Sequence, residues 1–218
     1  MNPFVYGRVA KGECFFDRAD ETRRIVQTLS GGNNIAGAFY NAAMRMSLPP
    51  LPRKDTVDFI MGKMAADGID ISEDAAGHLI DVAGMIPHYI QMLASEVWQY
   101  VVNNHDGGKQ VTKHTVDSCV KQVIAVGADY YAELYGKQSK SRKNLICALC
   151  KDGNQIFSGA YISKNGLGSA STVQRSINQL INAGIVEKTE TGHILADPFF
   201  QRYVEIVSEG AQERYLSG

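Results

Sequence analysis

From Asp55 onward the apolar residues recur mostly at helical spacing, so the pattern predicts a mainly α chain. One helix is expected over about 55–66, with Val57, Ile60, Met61 and Met64 inward. A second begins at Ser72, where Ser72-Glu-Asp-Ala supplies a cap and early acidic charge, and ends near Gly84. Pro87 suits the first turn of a third helix, 87–103, which carries Ile90, Leu93, Ala94, Val97, Trp98 and Val101. After a loop from Asn103 to Gly108, Thr112 caps a fourth helix with Val116, Val120, Val123 and Ile124 apolar. Together these predict a compact helical bundle over roughly 55–136.

Lys137 to Lys143 forms a basic connection and the expected domain boundary. Beyond it the pattern predicts a helix over about 141–151, a short helix within 157–165 and a tight break at Gly166-Leu-Gly168. Ser169 then caps a helix to about Ala183 that buries Val173, Ile177, Leu180 and Ile181, and Gly184 ends it. Residues 185–188 and 193–196, joined by Thr189-Glu-Thr-Gly192, read as a two-stranded hairpin. Pro198 opens a terminal helix with Phe199, Phe200, Tyr203, Val204 and Val207. Helix, break, helix, hairpin is winged helix-turn-helix order.

The first third is less regular. Residues 1–16 read as extended, and Asp17 caps a helix to about Leu29 that Ser30-Gly-Gly-Asn-Asn34 stops. A short apolar stretch, Ile35 to Tyr40, precedes Pro49-Pro-Leu-Pro52, which forces extended backbone.

Composition leaves the class open: 44% hydrophobic and 21% charged residues over 218 positions are ordinary for one or two soluble domains. Charge distribution says more. Residues 137–193 carry a net +5, from Lys137, Lys140, Arg142, Lys143, Lys151, Lys164, Arg175 and Lys188 against Asp152, Glu187 and Glu190, and the remainder carries −6. A basic module on an acidic one points to a polyanion partner for the C-terminal part. In a winged helix the second helix of the pair enters the major groove. Its outward positions here are Ser169, Ser171, Thr172, Gln174, Arg175 and Asn178, with Lys164 and Lys188 placed to flank phosphates. With one Arg and no Lys, the helix itself is less basic than strong DNA readers. Two partners therefore stand: double-stranded DNA, or a protein (a second copy included) docked on a polar face.

Other chemistry finds little support. Cys14, Cys119, Cys147 and Cys150 are too few and too scattered for a disulfide scaffold. Cys147-Ala-Leu-Cys150 lies within a helix, with no second ligand pair for zinc, and reads as core packing. Histidines 78, 88, 105, 114 and 193 form no metal-binding motif. Gly84 to Val97, the most apolar stretch, carries His88, Gln91, Ser95 and Glu96 and reads as a buried helix. No membrane association is expected, and with no secretory signal in view the expected location is cytoplasmic.

A nucleotide engine is missing. Gly32-Asn-Asn-Ile-Ala-Gly37 has the glycine spacing of a phosphate loop but continues Ala38-Phe39, without Lys or hydroxyl. Gly136-Lys137-Gln138-Ser139 lacks the upstream glycine, and no apolar strand ends in Asp-Glu to hold Mg²⁺. No ATP hydrolysis is expected of this chain, and no cofactor.

The chain nevertheless resembles the archaeal-type P-loop ATPases of the AAA+/STAND group, which couple a nucleotide domain to a helical lid and a winged helix. The resemblance lies in Phe4-Val-Tyr-Gly-Arg8, Phe15-Phe-Asp-Arg18, Ile69 to Ala75, Gly84-Met-Ile-Pro-His-Tyr-Ile-Gln91, Gly166 to Arg175 and Asp197-Pro-Phe-Phe200, in that order. It implies an N-terminal arm and helix over 1–35, a helical lid-like bundle over 36–136 and a winged-helix domain with a small β-hairpin over 137–218. It also implies that Tyr6, Gly7, Arg8 and Pro87 lie near a nucleotide, with ATP and Mg²⁺ entering only if the intact protein has the core. The family runs from a segment like Gly32-Asn-Asn-Ile35 into its phosphate-loop strand; here Ala36-Gly-Ala-Phe-Tyr40 follows, as though the catalytic core were excised around Ile35–Ala38.

Overall fold

A computed structural model describes residues 2–4, 52–104, 109–208 and 210. The helix expected from Asp17 to Leu29, the Gly32–Gly37 segment and the candidates Tyr6, Gly7 and Arg8 lie outside the described residues. The chain forms two compact units, Met1–Val116 and Asp117–Gly218.

In the first unit, α1 (Arg53–Ala65) turns one stripe inward, Thr56, Val57, Ile60 and Met64, and packs it on α2 (Glu73–Val82). Met61, expected inward with them, is half-buried. The Ser72 hydroxyl accepts from the Ala75 amide at 3.1 Å, the expected cap of α2. Pro87 occupies the first turn of α3 (Pro87–Asn103), where its missing N–H is not needed. Thr112 and Thr115 cap the start of α4 (Lys113–Val126) reciprocally: each hydroxyl accepts from the other's amide, at 3.3 and 3.2 Å.

A parallel ladder of two-residue strands, β1 (Asp70–Ile71) on β2 (Gln110–Val111), was not anticipated. Ile71 and Val111 are both buried, and their neighbours Asp70 and Gln110 are exposed. Trp98, expected in the core, is half-buried and donates from its indole to Asp67 Oδ2 at 2.8 Å, tying α3 to the turn that leads into β1.

Arg53 clamps α1 to α2. Its guanidinium pairs with both carboxylate oxygens of Asp81, with Nη2 to Oδ2 at 2.9 Å, and reaches the Gly77 carbonyl at 3.2 Å. The hydrogen bond from Arg53 holds the Asp81 carboxyl below its ordinary range. A depressed carboxyl contributes stability above its unfolded pKa, about 3.9, and loses it as pH falls through the lower folded value. Both side chains are about half exposed, so solvent screening keeps the effect small. The expected result is that Asp81→Asn lowers the thermal midpoint slightly near neutral pH, and that the gap closes below about pH 4. A gap that persists unchanged into acid would show that the charge pair does not act this way.

The second unit begins within α4, at Asp117, and contains α5 (Ala128–Gly136), α6 (Lys140–Lys151), α7 (Gly159–Lys164), α8 (Ala170–Asn182), the antiparallel pair β3 (Val186–Lys188) and β4 (His193–Leu195), and α9 (Pro198–Ser208). The fourth helical stretch breaks at Gly127, where a Cβ would stand 2.7 Å from the Tyr131 ring. The separate helix α5 that follows packs on α9, with Tyr131 against Phe200 and Tyr203 at ring distances of 5.9 and 5.7 Å. The second unit thus begins upstream of the boundary expected at Lys137.

Candidate nucleic-acid interface

Three helices build the candidate surface by burying one face each. α6 turns in Leu145, Ile146, Ala148 and Leu149; α7 turns in Tyr161 and Ile162; α8 turns in Val173, Ser176, Ile177 and Leu180. Ile181, expected among them, is half-buried. The Ser158 hydroxyl caps α7 by accepting from the Tyr161 amide at 3.2 Å, and the Ser169 hydroxyl caps α8 from the Thr172 amide at 3.2 Å. Between them Gly166 takes a left-handed conformation (φ 61°), and the amide of buried Leu167 returns to the Ile162 carbonyl at 3.1 Å. That bond closes the helix end and sets the tight turn of the helix-turn-helix. Tyr161 fastens α7 to the end of α6 by donating to the Asp152 carbonyl at 2.5 Å, and burial pushes its hydroxyl up to about 12.

The wing is held from an unexpected side. The Gly153 carbonyl accepts from the His193 amide at 3.0 Å, so the α6–α7 loop lies directly along β4. A Cβ at Gly153 would come within 1.7 Å of the His193 carbonyl oxygen, and one at Gly192 within 2.5 Å of the Gly153 oxygen. His193 is half-buried, and burial followed by the nearby Lys188 charge lowers its pKa.

The expected outward residues of α8 do face solvent: Ser169, Ser171, Gln174, Arg175 and Asn178 are exposed, and Thr172 is half-buried. The Ser169 hydroxyl also contacts those of Ser171 and Thr172, at 2.9 and 3.0 Å. Gln174 donates to Asn178 Oδ1 at 3.0 Å, which leaves the Gln174 carbonyl oxygen and the Asn178 amide nitrogen available to a further partner. Lys164 at the end of α7 and Lys188 on β3 are exposed, and among the described residues neither they nor Arg175 forms an ion pair. Pro87 is exposed but lies in the first unit, on α3.

The charge of these helices is one-signed. The three helices α6, α7 and α8 contain six cations (Lys140, Arg142, Lys143, Lys151, Lys164 and Arg175) and no carboxylate. The wing is mixed, with exposed Glu187, Lys188 and Glu190. Asn144 and Asn165, which the sequence pattern did not single out, and Lys151, which entered there only as one charge of the basic module, line an open cleft beside Lys164. Cys147 and Cys150 lie on α6. Tyr135 and Cys147 are in contact at 3.3 Å, and burial pushes the Cys150 thiol up to about 12, which suits packing rather than nucleophilic chemistry. Among the described residues no helix is long and apolar enough to cross a membrane.

Comparison with known proteins agrees with this architecture. Residues 129–206 match the family model described as "probable winged helix domain", and the protein is mostly helical, with a winged helix domain and its small hairpin. The domain includes α5, ahead of Lys137. The fold is similar to that of a Walker-type ATPase of Pyrococcus abyssi over 72% of this chain and 43% of that one, with 13% identity and a TM-score of 0.52. A mutant RuvB of Thermotoga maritima aligns over 68% of this chain and 47% of its own, at 17% identity and a TM-score of 0.34, too low to argue from. The chain spans less than half the length of either structure, and at these identities the likeness concerns fold alone. No curated protein matches the sequence.

Proposed function

We propose that the winged helix binds double-stranded DNA, in a non-catalytic or truncated relative of the AAA+/STAND-like ATPases. The carrying observation is the charge of α6, α7 and α8, six cations without a carboxylate. Phosphate neutralisation supplies most of the affinity of DNA binders, and a carboxylate near the phosphates opposes it. α8 enters the major groove, where Arg175 and the Gln174–Asn178 pair offer donors and acceptors to base edges. Lys164 and Lys188 hold flanking phosphates. The ATPase side of the reading rests on the sequence resemblance and the fold likeness. Since the chain carries no phosphate loop, nucleotide hydrolysis and ATP–Mg²⁺ form no part of its own activity in this proposal.

The test is fluorescence anisotropy with a random-sequence duplex at two salt concentrations, then with a duplex selected for tight binding. Affinity that falls steeply with salt is expected. On the selected duplex Arg175→Ala should weaken binding by about 1–3 kcal/mol, the worth of one good base contact. Absence of binding at low salt would defeat the proposal.

A second reading, docking on a protein or on another copy, draws on the exposed Phe157 and Ile194 near the wing, 42% and 45% exposed. It predicts a stable co-purifying partner, or self-association at micromolar concentration, with no salt-sensitive DNA binding.

A further inference from the structure

The cleft beside the helix-turn-helix has a chemistry the recognition face lacks. Its volume is about 350 Å³, it is open to solvent, and Asn144, Cys147, Ala148, Lys151, Lys164, Asn165 and Gly166 line it. The first four form one stripe of α6, and the last three are the end of α7 and the turn that leads to α8. Two lysines line this space, with no carboxylate in the lining. Among the described residues neither Lys151 nor Lys164 has an ion-pair or hydrogen-bond partner, and the Asn144 carboxamide is likewise uncommitted. Asn165 is fixed by its own bond to the Tyr161 carbonyl at 3.0 Å. Like charges in one cleft repel one another, and a bound anion relieves this. The lining offers little hydrocarbon, so an apolar peptide has little to bury.

We propose that this cleft seats a backbone phosphate of the duplex. The inference rests on the DNA reading and deepens it, naming a phosphodiester held away from the base-reading face. Gly166 is three residues from Ser169, the cap of α8. A phosphate gripped by Lys151 and Lys164 therefore sits next to the helix end that enters the groove, and fixes its register without reading sequence. The open shape suits a polymer, whose chain must continue on both sides of the seated group.

The experiment compares the full chain with the double variant Lys151→Gln/Lys164→Gln on the selected duplex across a salt series. Loss of the seated phosphate should reduce the slope of log affinity against log salt by about 0.9. Discrimination between the selected and a scrambled duplex should be unchanged. A full slope in the double variant, with wild-type binding intact, overturns the cleft assignment and leaves the DNA reading standing. Absence of wild-type binding overturns both. A parallel titration with inorganic phosphate, followed by the amide signals of Asn165 and Gly166, separates the sources. Saturation below millimolar concentration together with an unaltered DNA slope would mean that the cleft takes a free phosphate, which overturns the assignment to the duplex.

Discussion

Gly153→Ala is expected to destabilise the winged helix by about 3 kcal/mol, at the upper end of what overpacking usually costs. The reason is space. The new Cβ would sit 1.7 Å from the His193 carbonyl oxygen and 2.8 Å from its carbon, and both are backbone atoms that no rotamer change can move aside. Gly153 does not have a positive φ, so conformational freedom is not what the site uses. Relief requires the loop to leave β4, which breaks the His193 N–H to Gly153 carbonyl bond and loosens the wing. Gly159→Ala serves as the control, because no atom lies within 4 Å of its Cβ position. Urea unfolding checks both. A loss of midpoint for Gly153→Ala with little change for Gly159→Ala is expected, and equal small effects would show that the loop does not lie against β4 as described.

The second large effect is expected at Phe200. This ring is 1% exposed and stands 5.9 Å from that of Tyr131, at the contact where α5 meets α9. Phe200→Ala removes most of a buried side chain in a place where the surroundings refill poorly, because α9 is held at its start by Asp197. The Asp197 carboxylate accepts from the Phe199 and Phe200 amides at 2.8 and 3.1 Å. The expected cost is about 3–5 kcal/mol. Phe200→Leu should cost markedly less, because most of the apolar volume remains. Denaturant midpoints measure both, with an unchanged slope indicating that the unfolded state is the same. A Phe200→Ala cost below about 1 kcal/mol would mean that α9 is not packed into the core of the domain.

Much of this fold could be read along the chain because its signals are local. Ser72, Thr112 and Ser169 cap helices where the sequence predicted caps, since a cap needs only an oxygen three residues from an amide. The stop at Gly184 and the hairpin after it follow from the same short-range rules. The outward face of α8 was legible too, because helical period alone separates Val173, Ile177 and Leu180 from Gln174, Arg175 and Asn178.

What escaped the sequence joins residues far apart in it. The β1–β2 ladder pairs Asp70 with Gln110 and Ile71 with Val111, and two-residue strands carry no periodic signal. The helix α5 looked like the tail of the preceding bundle. It belongs with α9 because Tyr131 packs on Phe200 and Tyr203, a pairing that no spacing encodes. Gly153 looked like an ordinary loop glycine until β4 lay against it, and Lys151 counted only as one charge among several until the α7–α8 turn brought Lys164 into the same cleft. The sequence by itself determined most of the described helices, the caps at Ser72, Thr112 and Ser169, the hairpin and the polar outward side of α8, since each is settled within a few residues by backbone preference and hydrophobic period. The tertiary structure alone decided which faces meet, and with them the extent of the domain, the support of the wing and the basic cleft, because long-range burial selects those contacts among many that the local pattern permits.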